Sequence, residues 1–267
     1  MIYRLDRLVE NDVNPITGYE YDNSWIILML TNSFDYQQMC GCSNGCAYTI
    51  KVSCNQYKNW KMAVGDFINF CKVNKKNAIL VMCEADLKAV KKYYAGHSYN
   101  EPLLRENEPT VLVHSTTMNS WEQIKRDGML KSWNILKIEK VIDEEQPIGI
   151  KLGDPMDFSD YIMFGGGVTG EIVVNSKQQG KIVMDTNAEY HTGARLYFDA
   201  KRMAQDGLLV RDGCHLKVKD RLPLEPYLIW VATWETIGLA SQLSSPKIFA
   251  EQADKQFESI SQLYNSQ

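Results

Sequence analysis

The chain changes its pattern of apolar residues on either side of a polar stretch, HSYNEPLLRENEP, at residues 97–109. Before it, two apolar runs of strand length, SWIILMLT and NAILVMC, alternate with stretches whose apolar residues have helical spacing. After it come many short runs separated by Gly, Asp and Asn, which is typical of strands. The polar stretch itself contains two prolines and is typical of a linker. We therefore predict an α+β protein, with a small α/β domain over residues 1–100 and a second domain over residues 109–267.

The second domain is predicted to be a bent antiparallel sheet with few helices. Its opening strand leads into a helix over residues 118–127, and an amphipathic helix begins at Ser245. Further strands are predicted in SDYIMFGG, TGEIVVNS, GKIVMD, ARLYFD, LLVRDGCHLKV and YLIWVATW, with a short helix in AKRMAQDG. Many short strands with few helices indicate an architecture in which the helices pack on one antiparallel sheet.

Composition is that of an ordinary soluble globular protein, with 45% hydrophobic and 23% charged residues. The net charge of −4 argues against an indiscriminate nucleic-acid binder and leaves a local basic groove open. No window approaches eighteen consecutive apolar residues, and residues 1–15 contain no apolar segment typical of a secretory signal. We therefore predict a cytoplasmic protein with no membrane partner, whose seven cysteines are reduced thiols.

Four of the cysteines lie close together in CGCSNGCAYTIKVSC, at Cys40, Cys42, Cys46 and Cys54. A structural zinc ion needs four such ligands, usually from CxxC pairs, and this spacing contains no CxxC pair. Alternation in AYTIKVSC favours a strand with Cys46 and Cys54 on one face. The pattern favours free thiols and no metal, while a zinc site and an extracellular disulfide remain the alternatives.

The segment TVLVHSTTMNSWEQIKRDGMLKS, residues 110–132, places polar residues where a predicted strand ends and a helix begins. These residues are His114, Ser115, Thr116 and Thr117. Strand ends that face a following helix are common ligand sites. A histidine there either binds a ligand or is hydrogen-bonded to the backbone.

The order of the sequence blocks resembles the ADP-ribosyltransferase superfamily. An H-x-T strand end is followed by W..I...GML and later by LYFDAKRMAQDGLLV....CHLKVKDRLPLEPYLI. The last block is similar to the RNA 2′-phosphotransferases, in which a strand ending in Asp-Ala leads to a helix, a DG turn and a proline-containing turn. The DYIMFGG block resembles the aromatic strand of bacterial DNA-targeting ADP-ribosyltransferase toxins. The resemblance covers residues 110–234.

This resemblance implies a domain that binds NAD as a substrate and transfers ADP-ribose. In the family, the residue corresponding to His114 hydrogen-bonds NAD, and Ser115 and Thr116 would hold the carboxamide. An aromatic ring stacks on nicotinamide, and Tyr161 or Phe164 would supply it. Because side chains alternate along a strand, only one of these two rings is expected to face the ligand.

The sequence departs from typical ADP-ribosyltransferases at the late strand, where they carry a glutamate and this chain has His215. The RNA 2′-phosphotransferases also lack this glutamate and bind a 2′-phosphate with arginines. Arg195 and Arg211 are the matching candidates, with Lys201 and Arg202 as alternatives on a helix. His215 is the candidate to act in place of the glutamate.

Alternation in RDGCHLKVKDR puts Cys214, Leu216 and Val218 on an apolar face that should be core. His215 and Lys217 then point to solvent or into the cleft.

The predicted function is transfer of ADP-ribose from NAD to a nucleic-acid phosphate or base, with RNA or single-stranded DNA as the acceptor. The candidate catalytic residues are His114, Tyr161, His215, Arg195 and Arg211. The alternative is a catalytically silent relative that binds a nucleotide or a partner.

Overall fold

The structure is a computed structural model. It describes residues 1–8, 13–22, 24–32, 38–41, 47–151 and 154–265. The chain divides into two compact units. The first unit consists of Met1–Pro102, Gly149–Ser159 and Gly207–Lys217, and the second consists of Leu103–Ile148, Asp160–Asp206 and Val218–Gln267. Two segments predicted to lie in the second domain, 149–159 and 207–217, therefore belong to the first unit.

Residues 1–102 form an α/β fold around a mainly parallel sheet. Their elements are β1 (Ile2–Leu5), β2 (Trp25–Thr31), β3 (Gln38–Gly41), β4 (Tyr48–Ser53), α1 (Trp60–Val73), β5 (Asn77–Val81) and α2 (Glu84–Tyr93). The strand order is β1-β5-β2-β4-β3, in which only β3 is antiparallel to its neighbour. Residues 26–28 and 78–80 are buried, as expected for central strands of a parallel sheet. The predicted small α/β unit is confirmed.

Helices α1 and α2 pack closely because α1 has a glycine at their contact. A Cβ at Gly65 would overlap the ring of Tyr94, which directly follows α2. The Tyr94 hydroxyl donates a hydrogen bond of 2.7 Å to the buried carboxylate of Asp66. This contact fixes α2 against α1.

The segment 207–217 joins the first unit through backbone contacts. The backbone N–H of Arg211 donates to the carbonyl of Tyr99 at 3.0 Å. Gly213 has a φ of 96°, which favours glycine, and a Cβ there would lie 2.7 Å from the carbonyl oxygen of Ala63 in α1. Sequence patterns do not show such long-range contacts, and this explains why the predicted boundary placed the segment elsewhere.

The remaining elements lie mostly in the second unit. They are β6 (Val111–Thr116), α3 (Met118–Asp127), β7 (Met129–Lys131), α4 (Trp133–Ile138), α5 (Ile148–Lys151), a 3-10 helix (Met156–Asp160), β8 (Tyr161–Met163), α6 (Thr169–Gln179), β9 (Tyr190–His191), β10 (Ala194–Asp199), α7 (Ala200–Gln205), β11 (Leu209–Arg211), β12 (Leu216–Lys219), β13 (Arg221–Pro223), β14 (Leu228–Ala232), β15 (Leu243–Ser244) and α8 (Pro246–Asn265). The sheet β14-β10-β6 is antiparallel, with β10 at its centre. The prediction of mainly antiparallel strands in this half is confirmed.

The predicted C-terminal amphipathic helix is also confirmed as α8. Phe249, Ala253 and Phe257 of α8 are buried, and the ring of Phe257 stacks on Tyr197 of β10 at 4.3 Å. Ile248, in the first turn of α8, is 47% exposed. The helix covers the β10 face that carries Tyr197.

Two predicted strands are wrong. TGEIVVNS forms α6, in which Glu171, Val174 and Asn175 are buried at helical spacing, and GKIVMD forms no strand. The β-branched run in α6 matches a strand as well as a helix by composition, whereas the stop at Gly180, with a φ of 65°, is a helix signal. In the ranges that the structure describes, no helix is long and apolar enough to cross a membrane.

We predict that Gly65→Ala destabilises the protein. In a helix interior this change ordinarily stabilises by about 0.5–1 kcal/mol, but overpacking against the Tyr94 ring costs about 1–3 kcal/mol. Urea unfolding followed by tryptophan fluorescence measures the difference. In a Tyr94→Ala background the same substitution should become stabilising, and an equal effect in both backgrounds would show that the ring is not the cause.

Candidate functional site

The end of β6 presents its polar residues on two opposite faces of the sheet. β6 pairs with β10 so that His114 lies opposite Leu196 and Ser115 lies opposite Arg195. Because side chains alternate, His114 and Thr116 share one face and Ser115 points to the other. The structure therefore separates Ser115 from His114, although both were predicted to contact the same ligand.

The imidazole of His114 is held in one orientation and one tautomer. Its Nδ1 atom lies 3.0 Å from the backbone carbonyl oxygen of Met163. A carbonyl oxygen only accepts hydrogen bonds, so Nδ1 carries the proton and Nε2 is an acceptor. Burial lowers the pKa of His114, although the hydrogen bond to Met163 opposes this, and the ring is neutral at pH 7. Within the described ranges Nε2 has no hydrogen-bond partner.

Phe164 is the aromatic residue beside His114. The two rings lie edge to face with centroids 6.3 Å apart, and Phe164 also contacts Phe198 at 5.9 Å. Tyr161, the other candidate, is buried at 7% exposure. Phe164 is half-buried and leads directly into an exposed loop. Phe164 and His114 thus form the aromatic part of the candidate site.

Three glycines, Gly165–Gly167, connect Phe164 to helix α6. The N–H of Gly165 donates to the carbonyl of Val113 at 3.0 Å, which ties the loop to β6. Val168, the N-cap residue of α6, supplies no side-chain hydrogen bond to the helix. A Cβ at Gly166 would meet no atom within 4 Å. Glycines without side chains let the backbone of this loop approach an anion such as phosphate closely. The N–H of Glu171, in the first turn of α6, already donates to the carbonyl of Val168 at 3.1 Å.

The sequence prediction missed this loop because residues 169–176 were assigned to a strand. The available signal was the order of the residues: a strand, three glycines, an acidic first helical turn at Glu171 and a stop at Gly180.

Arg195 lies on the opposite face of the sheet and is fully buried. Its guanidinium contacts Asp254 of α8 through Nε and Nη2, at 2.9–3.0 Å. Its Nη1 lies 3.4 Å from Glu171, and Nε also lies 3.1 Å from the Tyr197 hydroxyl. The predicted role of Arg195 as a phosphate-binding arginine is therefore corrected, since its donors are directed at internal partners.

Glu171 of α6 occupies the centre of the same buried group. It accepts hydrogen bonds from the hydroxyls of Ser115 at 2.5 Å and Tyr190 at 2.7 Å. Burial raises the pKa of Glu171, although Ser115, Tyr190 and Arg195 oppose this. The hydrogen bond between Ser115 and Glu171 thus joins β6 to α6, and both side chains lie on the sheet face opposite the His114 side chain.

Arg211 and His215 belong to the first unit. Arg211 is 2% exposed, and its Nη1 lies 3.3 Å from the carbonyl oxygen of Glu101. The Nδ1 of His215 lies 3.1 Å from Asp212, and its ring packs edge-on against Phe158 at 5.1 Å. The expectation that Arg211 and His215 share an NAD cleft with His114 therefore lacks structural support.

The burial of Lys217 was not anticipated. Lys217 is fully buried, with Nζ 2.6 Å from Asp212 and 4.4 and 4.6 Å from the ring centroids of Phe70 and Phe158. Burial alone would raise the pKa of Asp212, but Lys217 and His215 hold it well below its usual range. Alternation predicted Lys217 on a polar face, and the buried ion pair with two aromatic contacts explains the difference.

The cysteines that were predicted to be free thiols do not all have the same state in the structure. Cys54, Cys71 and Cys83 are free, whereas Cys214 is disulfide-bonded, which corrects the expectation that all seven cysteines are reduced. A sequence pattern does not show which cysteines a fold brings within bonding distance. Cys42 and Cys46 and the side chain of Cys40 lie outside the described residues. Among the residues that are described, no group of three or more His, Cys, Asp or Glu could hold a metal ion.

We predict that Lys217→Met destabilises the protein by about 3–5 kcal/mol, because it leaves the buried Asp212 carboxylate without its ammonium partner. Urea unfolding measures the change, with the exposed Lys219→Met as control. Asp212→Asn in the Lys217→Met background should recover part of the loss. A loss below about 1 kcal/mol, the range of exposed pairs, would contradict the buried ion pair.

We also predict a pH dependence from Asp212. Its folded pKa is held below the unfolded value near 3.8, so the stability it contributes is present above about pH 4 and is lost as the pH falls below that. The free energy of unfolding should therefore decrease more steeply between about pH 4 and pH 2 in the natural protein than in Asp212→Asn. Parallel curves for the two proteins would contradict the assignment.

Comparison of the chain with protein-family models, with curated protein sequences and with solved structures finds no match. Function is therefore inferred from the geometry around His114, Phe164 and the glycine loop Gly165–Gly167.

Proposed function

We propose that the second unit binds NAD and that the protein is an ADP-ribosyltransferase-like enzyme acting on nucleic acid. The observation that carries the proposal is the neutral, oriented imidazole of His114 beside Phe164 and the loop Gly165–Gly167. A dinucleotide needs a hydroxyl acceptor, an apolar surface for a ring and N–H donors for its phosphates. Two hydrogen bonds hold the histidine, the aromatic ring and the loop together. His114 of β6 donates to the carbonyl of Met163, and the N–H of Gly165 donates to the carbonyl of Val113 in β6.

Each of these residues has a defined part in the proposed chemistry. The Nε2 of His114 accepts a hydrogen bond from a ribose hydroxyl, and Phe164 stacks on the nicotinamide ring. The backbone N–H groups of Gly166 and Gly167 in the loop bind the pyrophosphate. Nicotinamide leaves with the electrons of its bond to ribose, and a nucleophile on the acceptor attacks the same carbon. The protein accelerates the reaction by holding NAD in the reactive conformation and excluding water.

Among the residues that the structure describes, no carboxylate that could stabilise the positive charge developing on the ribose contacts His114. Glu171 lies on the other face of the sheet and is engaged by Ser115, Tyr190 and Arg195. We therefore expect slow turnover. The same observation favours a second candidate function, a catalytically silent domain that binds NAD.

The acceptor is proposed to be RNA or single-stranded DNA rather than a 2′-phosphate held by Arg195 and Arg211, because both arginines are buried. The alternative cations, Lys201 and Arg202, are exposed on α7. Helix α7 begins beside the start of β6 at Val111, three residues and roughly 10 Å along the strand from His114.

We predict that NAD raises the melting temperature of the protein, since a ligand at one hundred times its Kd stabilises the folded state by about 2.7 kcal/mol. His114→Ala should abolish the shift, whereas His191→Ala, which changes an exposed histidine of the same unit, should retain it. Thermal denaturation with and without NAD measures both. An unchanged melting temperature of the natural protein at millimolar NAD would exclude the proposal.

Gly166→Val tests the loop separately. The added side chain meets no atom of the protein within 4 Å of its Cβ, so the melting temperature without NAD should change little. It should reduce the shift caused by NAD, because it adds bulk where the backbone must approach the phosphates. A full NAD shift in this variant would remove the loop from the site.

Incubation with NAD labelled in the adenylate group distinguishes the enzyme from the silent domain. Transfer of label to RNA or single-stranded DNA supports the enzyme, and an NAD-dependent thermal shift without transfer or hydrolysis supports the silent domain.

A further inference from the structure

The first unit carries a basic surface that the NAD site does not use. We define the α1–α2 basic face by five lysines and two aromatic residues: Lys58, Lys61, Lys88, Lys91, Lys92, Trp60 and Tyr93. It lies where the start of α1 adjoins the end of α2. The Nζ of Lys61 is 5.4 Å from the ring centroid of Trp60 and 5.7 Å from that of Tyr93.

Four of the five lysines, all except Lys88, lie five or more residues along the chain from the nearest Asp or Glu. Residues 57–65 and 87–96 contain no Asp or Glu. In the described part of the chain, none of the five lysines forms an ion pair. The two helices contain three acidic residues: Asp66 is buried and accepts a hydrogen bond from Tyr94, Glu84 pairs with Arg4, and Asp86 accepts from the Cys83 thiol at the start of α2. The face therefore concentrates five lysines in a chain whose net charge is −4.

Aromatic rings accompany these charges at the surface. Tyr93 is 51% exposed, and Trp60 is half-buried. The close contact of Gly65 with Tyr94 holds α2 against α1, so the rings and lysines are presented from a fixed pair of helices.

We propose that the α1–α2 basic face binds single-stranded nucleic acid. Lysines contact the phosphates, and an exposed aromatic ring stacks on an unpaired base, which a duplex does not offer. An acidic protein or an anionic membrane would use the charge without needing the rings. This inference goes beyond the proposed function, because it concerns the first unit by itself and requires no NAD.

Fluorescence anisotropy with fluorescein-labelled twelve-residue oligo-dT and oligo-U, without NAD, tests the proposal on the full chain. Comparison of the two oligonucleotides distinguishes DNA from RNA as the source of the strand. Lys91→Glu/Lys92→Glu should weaken binding at least about tenfold and lower the slope of log K against log salt by about 1.4, or about 0.7 for each lost phosphate contact. Tyr93→Ala should weaken binding by about fivefold or more and leave the slope unchanged.

The matched control is Lys247→Glu/Lys255→Glu, which changes two exposed lysines of α8. It should bind like the natural protein. No binding by the natural protein, or equal loss in the control, overturns the proposal. Equal affinity for a duplex with no effect of Tyr93→Ala, or tighter binding to phosphatidylserine vesicles, overturns it in favour of a general anion surface. Because NAD is absent, failure here leaves the NAD thermal shift as a separate result.

Discussion

The buried guanidinium of Arg195 is the interaction on which the second unit depends. A charge removed from water is tolerated only when its donors are satisfied, and here Asp254, Glu171 and Tyr197 satisfy them. These partners come from α8, α6 and β10. One side chain therefore specifies how two helices cover one face of the β14-β10-β6 sheet.

The candidate site lies on the other face of the same strands. Ser115 is engaged with Glu171, while its neighbour His114 points away toward Phe164. The charged network holds α6 in place, and the start of α6 follows the glycine loop. The buried charged network on one face of the sheet thus helps to orient the uncharged side chains of the candidate site on the other face. The buried charged residues of the second unit therefore stabilise its fold and are not part of the candidate site.

Much of the fold could be predicted from local signals. The helix 118–127 was predicted with its observed bounds, and it has a Thr117 cap and a Gly128 stop with a φ of 66°. α6 was missed because Ile172, Val173 and Val174 suit either a strand or a helix. Of the site, the family resemblance implied an aromatic ring near His114 and left Tyr161 and Phe164 as alternatives, and the separation of Ser115 could have been predicted from alternation. The burial of Arg195 could not, because its partner Asp254 lies 59 residues away along the chain.

The two hydrogen bonds that flank Phe164 have a consequence for local motion. The imidazole of His114 donates to Met163, and the amide of Gly165 donates to Val113, so the strand and the loop exchange one bond in each direction. Because Met163 and Gly165 flank Phe164, any motion that lifts this segment off β6 breaks both bonds. Exchange of the Gly165 amide proton therefore reports openings of the segment that also release the imidazole from its fixed orientation.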